Sequence, residues 1–301
     1  MKKFLMKIII FFIVLVALDF LYGLIFQYMN DHSKGGGVKS RYYVNKESTE
    51  DVLVFGSSRA KHHYVPNIIE DSLRMTCYNT GEDGNGIIYC YGVLKMVAER
   101  YSPKMIIYDV SRFDFVEDDN SKYLDLLKPY YYEPGIDSIF WAIEPKTRVM
   151  MKSNLYRFNT TCLRIFGNYI HPTIDAPKGY SPLSKSMDYE PEPLVSKRDM
   201  PIVDSMKLSF FESFIQLCQN NGIQLICSVS PSYKACMNED YYLPIKHLCE
   251  KRGIPFYYME EETDISNYRS LFQDKTHMND RGARMYTQKI MSIIHNNIEH
   301  N

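Results

Sequence analysis

The chain opens on a long apolar run and then settles into short apolar bursts separated by amphipathic stretches. Ile8 to Phe26 is apolar apart from Asp19 and Tyr/Gly positions near its end, about 19 residues, enough to cross a bilayer at 1.5 Å per residue. Farther on, Val52–Phe55, Met75–Tyr78, Met105–Val110, Ile223–Val229 and Ile254–Tyr258 are short apolar runs and predict buried strands. Between them, 65–73, 87–100, 203–221, 241–251 and 280–296 carry helical spacing. The stretch 203–221 is the strongest, with Met206, Phe210, Phe214, Leu217 and Cys218 on one face and Gly222 closing it. Strands alternating with helices predict an α/β fold: a parallel five-stranded sheet, covered on both faces in three α/β/α layers.

Residues 113–200 break that rhythm. The stretch is rich in Tyr and Pro (Tyr130-Tyr131-Tyr132, Pro191-Glu192-Pro193) and is read as an insertion beside the active-site rim, with helix over 146–166. Its tyrosines offer faces for sugar rings, but packing a satellite core is the expected role for each. The organisation expected is an anchor over 4–28, a flexible linker over 29–50 carrying Gly35-Gly36-Gly37, and one folded domain over 51–301.

Lys2, Lys3 and Lys7 precede the apolar run and predict a cytoplasmic N-terminus, with the main domain outside the cell membrane. A cleaved signal peptide is the rival. It would have a shorter apolar region ending in small residues, whereas this one ends Leu24-Ile25-Phe26-Gln27-Tyr28. An uncleaved single-pass anchor is therefore expected. A carboxylate at position 19 costs a few kcal/mol in lipid unless paired or protonated; Asp19 is read as tolerated, with a helix partner in the membrane as the alternative.

The net charge of −1 gives no footprint for nucleic acid. Seven cysteines with no Cys-x-x-Cys pair argue against a zinc or thioredoxin-type site, and most are expected to serve as small core residues. No carboxylate–histidine spacing supports a metal at His62, His63 and His171, so neither metal nor cofactor is expected.

The candidate chemistry lies at the two ends of the domain. Gly56-Ser57-Ser58 follows the first strand and precedes a helix, which exposes the Ser58 hydroxyl beside free backbone N–H groups. A plain helix cap is the bland alternative. Asp274-Lys275-Thr276-His277 places a carboxylate three residues before an imidazole, close enough to fix its tautomer. Capping of the last helix by Asn279 or Asp280 is the bland reading there. Both segments fall at the carboxyl ends of strands, where such sheets bind ligands.

Three blocks resemble those of the SGNH (GDSL-type) hydrolase superfamily. Gly56-Ser57-Ser58 resembles the first, usually Gly-Asp-Ser; Asn79-Thr80-Gly81-Glu82-Asp83-Gly84 resembles the second; Asp274 to Ala283 resembles the last. The likeness covers roughly 51–110 and 203–294. It implies a flavodoxin-like sheet, Ser58 as nucleophile, His277 as base and acid, Asp274 as its orienting group, and backbone N–H of Ser58 and Gly84 as oxyanion donors. The third block departs. Where the family has Gly-x-Asn-Asp, this chain has Ser111-Arg112-Phe113-Asp114, in which Arg112 is either a substitute donor or a salt-bridging residue.

Membrane-anchored members that modify envelope glycans share an anchor and a divergent third block. The superfamily resemblance implies a serine-dependent ester hydrolase acting on an O-acylated glycan or small ester, while the similarity to the anchored members suggests acyl transfer. The alternatives to the hydrolase are thus an O-acyltransferase working with a membrane-bound O-acyltransferase on a surface polymer, and a non-catalytic glycan-binding or assembly protein.

Overall fold

The structure is a computed structural model that describes residues 1–111, 114–174, 176–191, 203–234 and 239–299. In chain order its elements are α1 (Lys2–Asp31), α2 (Gly36–Lys46), β1 (Val52–Gly56), α3 (Ser58–His63), α4 (Pro66–Leu73), β2 (Cys77–Asn79), α5 (Ile87–Ala98) and β3 (Met105–Asp109). The middle of the chain forms α6 (Ile136–Ile143), α7 (Thr147–Met150), α8 (Asn154–Phe158) and α9 (Cys162–Ile170). Then come α10 (Ser205–Asn220), β4 (Gln224–Val229), α11 (Leu243–Lys251), β5 (Phe256–Tyr258), α12 (Thr263–Ser266) and α13 (Asp280–Glu299). They group into two compact units, one of 1–47 with 120–175 and one of 48–119 with 176–301.

The second unit holds the sheet. All of its strands pair in parallel, in the order β2-β1-β3-β4-β5, the flavodoxin-like arrangement. Every residue of β1, β2 and β3 is buried, and Val52–Phe55 and Met105–Tyr108 read as continuous apolar runs rather than alternating ones. Val54, Ile107 and Ile226 stand in register across β1, β3 and β4 and join a core with Tyr64, Tyr286 and Ile290. Each buried aliphatic side chain of this kind contributes roughly 1.5–3 kcal/mol of transfer free energy. Local signals set the helix ends. Asp204 accepts from the backbone N–H groups of Met206 (2.8 Å) and Lys207 (3.2 Å) to start α10, and Gly222 at φ +66° follows its end.

Three expectations change. The linker over 29–50 is helical from Gly36 to Lys46, and Val38, Arg41 and Val44 are buried at three-residue spacing. Its glycines serve close approach: a Cβ on Gly36 would lie 2.3 Å from Thr173 Oγ1 and 2.4 Å from Asn168 Oδ1. The 113–200 insertion divides. Residues 120–175 group with the N-terminal helices, while 176–191 pack on the sheet unit, where Leu183 O accepts from Asp280 N–H at 2.8 Å. Asp19 is paired. It accepts from Ser153 Oγ (2.8 Å), Asn154 N–H (2.9 Å), Leu155 N–H (2.8 Å) and Asn154 Nδ2 (3.3 Å), and so caps α8.

Two of the three consecutive tyrosines, Tyr130 and Tyr131, are buried, and Tyr131 meets Phe140 edge-on at 5.2 Å. Six cysteines have free thiols, five of them buried; Cys236 and Pro193 lie outside the described residues.

Candidate active site

Ser58 is the first residue of α3, immediately beyond β1. β1 lies between β2 and β3, where the strand order reverses, which is where open α/β sheets leave a crevice. The turn that delivers it depends on glycine. Gly56 has φ +140°, and a Cβ there would sit 2.8 Å from Asp109 O and 2.9 Å from Ala60 Cβ. Gly81 lets the loop after β2 press against α3: its Cβ would meet Lys61 N at 2.4 Å and Lys61 Cα at 2.8 Å.

The distant C-terminal block closes on this turn. Ser58 Oγ and His277 Nε2 are 2.8 Å apart across 219 positions of sequence. His277 Nδ1 lies 2.9 Å from Asp274 Oδ2 and 3.0 Å from Oδ1. Asp274 Oδ1 also accepts from the N–H groups of Thr276 (2.9 Å) and His277 (3.0 Å), so one tight turn fixes both side chains. Because Asp274 is acceptor-only when ionised, Nδ1 carries the ring proton. Nε2 then offers its lone pair to the Ser58 O–H. Burial works against the Asp274 charge, but the His277 ring and the two N–H groups outweigh it and hold the carboxyl at about 2. Asn279, the bland candidate for a cap, does cap α13: its Oδ1 accepts from Gly282 N–H at 3.1 Å while His277 remains free to face Ser58.

Gly84 lies in the turn before α5 at φ +69°, with open space where a Cβ would be. The Ser58 N–H, in the first turn of α3, has no carbonyl four residues back within the helix. Arg112 lies outside the described residues. Asp114 of the same block turns inward, where its Oδ2 accepts from Tyr108 Oη and Ser111 N–H, both at 3.1 Å. Burial outweighs those bonds and lifts its pKa to about 7.

Sequence reasoning missed the polar layer beneath the serine. His63 is fully buried. Its Nε2 accepts the N–H of Met278 at 2.9 Å, so its Nδ1 carries the proton and donates to Ser230 Oγ at 2.8 Å. It therefore holds the residue next to His277. Burial first, then the charges of Arg59 and the neighbouring histidines, push its pKa well below 6.5. Arg59 donates to Ser230 Oγ (3.2 Å) and Glu260 Oε2 (3.1 Å) and stands 3.8 Å from Asp109. Those two carboxylates overcome burial and keep the guanidinium charged. His62 lies 5.8 Å from His277, ring to ring. Its Nδ1 donates to Ser181 O at 2.6 Å, and its Nε2 is 3.2 Å from Asp83. The ring nitrogens of His62 and His63 are thus turned to protein partners.

No protein-family profile matches the chain, and no curated protein does. Solved structures are similar to it at low identity. A candidate acylhydrolase from Bacteroides fragilis aligns at 10% identity and a TM-score of 0.41, over 84% of this chain and 95% of its own. A lipolytic protein of the G-D-S-L family from Desulfitobacterium hafniense, so described provisionally, aligns at 8% and 0.40, over 81% and 99%. An acetyl xylan esterase, AlAXEase, aligns at 13% and 0.41, over 81% and 99%. Their descriptions name an acylhydrolase, a lipolytic protein and an esterase, and the functional reading of this chain rests on its own site.

Proposed function

We propose that this protein is an SGNH-type serine ester hydrolase, and that the contact between Ser58 Oγ and His277 Nε2 is its catalytic hydrogen bond. The 2.8 Å separation, with Asp274 behind the ring, is the observation that carries the reading. Ser58 Oγ attacks the acyl carbon and its proton passes to His277 Nε2. The resulting oxyanion takes hydrogen bonds from the Ser58 and Gly84 N–H groups. Collapse expels the alcohol, which leaves with the proton from His277, and an acyl-Ser58 ester remains. Water, deprotonated by His277, then releases the acid. A sugar hydroxyl in place of that water turns the same cycle into acyl transfer.

The polar layer favours a working site over a retained shell. Two buried groups, His63 and Arg59, are engaged in holding the turns that carry Ser58 and His277. The substrate class we propose is an O-acylated glycan of the cell envelope, with the domain outside the membrane and α1 as its anchor. Retention of α1, as opposed to cleavage, is supported by its distal half, where Tyr22, Phe26 and Met29 pack with Phe158 and Ile165.

The test is turnover of an aryl acetate by the full chain in detergent. Ser58→Ala and His277→Ala are each expected to lower kcat by about 10⁴-fold or more. Equal rates in wild type and Ser58→Ala would remove the hydrolase reading, and an acceptor-dependent rate with an acetylated sugar donor would mark a transferase.

A further inference from the structure

Among the described residues, the helical unit leaves an apolar face exposed. On α9, Leu163 is 84% exposed, and Phe166 and Ile170 are each 46% exposed. They stand three and four residues apart, on one face, and Ile174 beyond the helix continues the series at 99%. The opposite side of α9 is occupied: Ile165 is buried, and Cys162 and Tyr169 pack with it against Tyr22, Phe26 and Met29 of α1. A contiguous apolar face of this kind marks an interaction surface.

Three observations identify the occupant. First, residues 145–174 carry Lys146, Arg148, Lys152 and Arg164 on the surface, with Arg157 buried, and contain no Asp or Glu. An apolar helix face set among exposed basic residues suits a lipid surface, with acyl chains beneath and phosphates around. Second, α1 is itself apolar and exposed alongside: over the stretch that α8 and α9 pack against, it leaves Phe20, Leu21, Leu24 and Ile25 exposed. Third, the cap on α8 sets a depth. At 1.5 Å per residue Asp19 stands roughly 10 Å along α1 from Phe26, the outer end of the apolar run that begins after Lys7. Interfacial helices embed about 5–10 Å. The bonds from Ser153, Asn154 and Leu155 then supply at that depth the donors that water would otherwise give the carboxylate.

We propose that α8 and α9 are seated in the outer leaflet of a phospholipid bilayer, pinned beside the anchor by Asp19, with the apolar face of α9 among the acyl chains. The mid-chain segment is on this view a second membrane contact, and it rests on α1 being a retained anchor. The unit grips the bilayer by a span and a shelf, and the side-chain cap at Asp19 joins the two.

The test uses the full chain reconstituted into phosphatidylcholine vesicles containing phosphatidylglycerol. An environment-sensitive fluorescent amino acid is incorporated by codon suppression at Leu163 and, in a separate preparation, at Val14. Emission from Leu163 is expected to be lost to a lipid carrying a shallow doxyl quencher and retained against aqueous iodide. Emission from Val14 is expected to be lost to a deep doxyl quencher. If Val14 is quenched by lipid while Leu163 is quenched by iodide, the anchor stands and the seated shelf is overturned. If Leu163 is shielded from both quenchers, protein rather than lipid covers the face, and the proposal is likewise overturned. If Val14 is not quenched by lipid, the anchor reading fails and the proposal fails with it.

Discussion

Replacing His63 tests how the two halves of the site are held together. Its ring serves two partners that are 167 and 215 positions away in sequence, Ser230 Oγ and the Met278 N–H. His63→Phe fills similar space but satisfies neither. Ser230 Oγ keeps the bond from Arg59, so the Met278 N–H is the group left unpaired, at a cost of about 1–3 kcal/mol. Against a total stability of about 5–15 kcal/mol this is a sizeable loss. It corresponds to a fall in Tm of roughly 2–12 °C. His63→Gln keeps an acceptor for Met278 and is expected to recover most of it. The acid side offers a second readout. His63 stays neutral in the folded protein while its unfolded counterpart takes up a proton near 6.5. The unfolded state therefore binds more protons below that pH, and the contribution of His63 to stability is lost as pH falls through it, by at most about 1.36 kcal/mol per pH unit. His63→Gln lacks this slope. The assay is thermal melting of the full chain in detergent at pH 5.5 and 7.5, with aryl acetate turnover alongside. Wild-type melting of His63→Phe, or an acid slope undiminished in His63→Gln, would refute the reasoning.

Other consequences are equally concrete. Gly81→Ala forces a Cβ into the Lys61 backbone at 2.4 Å, where no flexible side chain can yield; it should lose about 1–3 kcal/mol and slow acylation by shifting α3. Asp114 binds a proton in the folded state up to about pH 7, above its usual 3.8, so wild-type stability should decline as pH rises between those values. Asp114→Asn lacks that term, and its Tm should gain on the wild type between pH 5 and pH 8; a constant difference would contradict this. Asp274→Asn should lower kcat by roughly 10³–10⁴-fold with little change in Tm, because the His277 tautomer is no longer fixed. A drop below tenfold would show that the Asp274 turn is only a cap.

Much of the sheet unit was legible because its signals are local. Val52–Phe55 and Met105–Val110 are buried on both faces, and continuous apolar runs announce that directly. The Asp274–His277 turn was legible for the same reason, since a three-residue spacing is itself the geometry. What stayed hidden depends on contacts between distant segments. Gly35-Gly36-Gly37 carries the composition of a tether, and only the approach of Asn168 and Thr173 makes it the start of a packed helix. Asp19 looked like an isolated charge because its donors, Ser153 to Leu155, are more than 130 positions away. His63 and Arg59 are polar residues on a short helix, and nothing nearby announces Ser230, Met278 or Glu260 as partners.

The central claim is that Ser58 is an activated nucleophile, and covalent labelling with mass-spectrometric mapping tests it most directly. Exposed to a fluorophosphonate, the full chain should carry a single adduct on the peptide containing Ser58. Labelling should be slowed by orders of magnitude in His277→Ala. An adduct on another residue, no adduct at all, or labelling at an unchanged rate without the imidazole would contradict it.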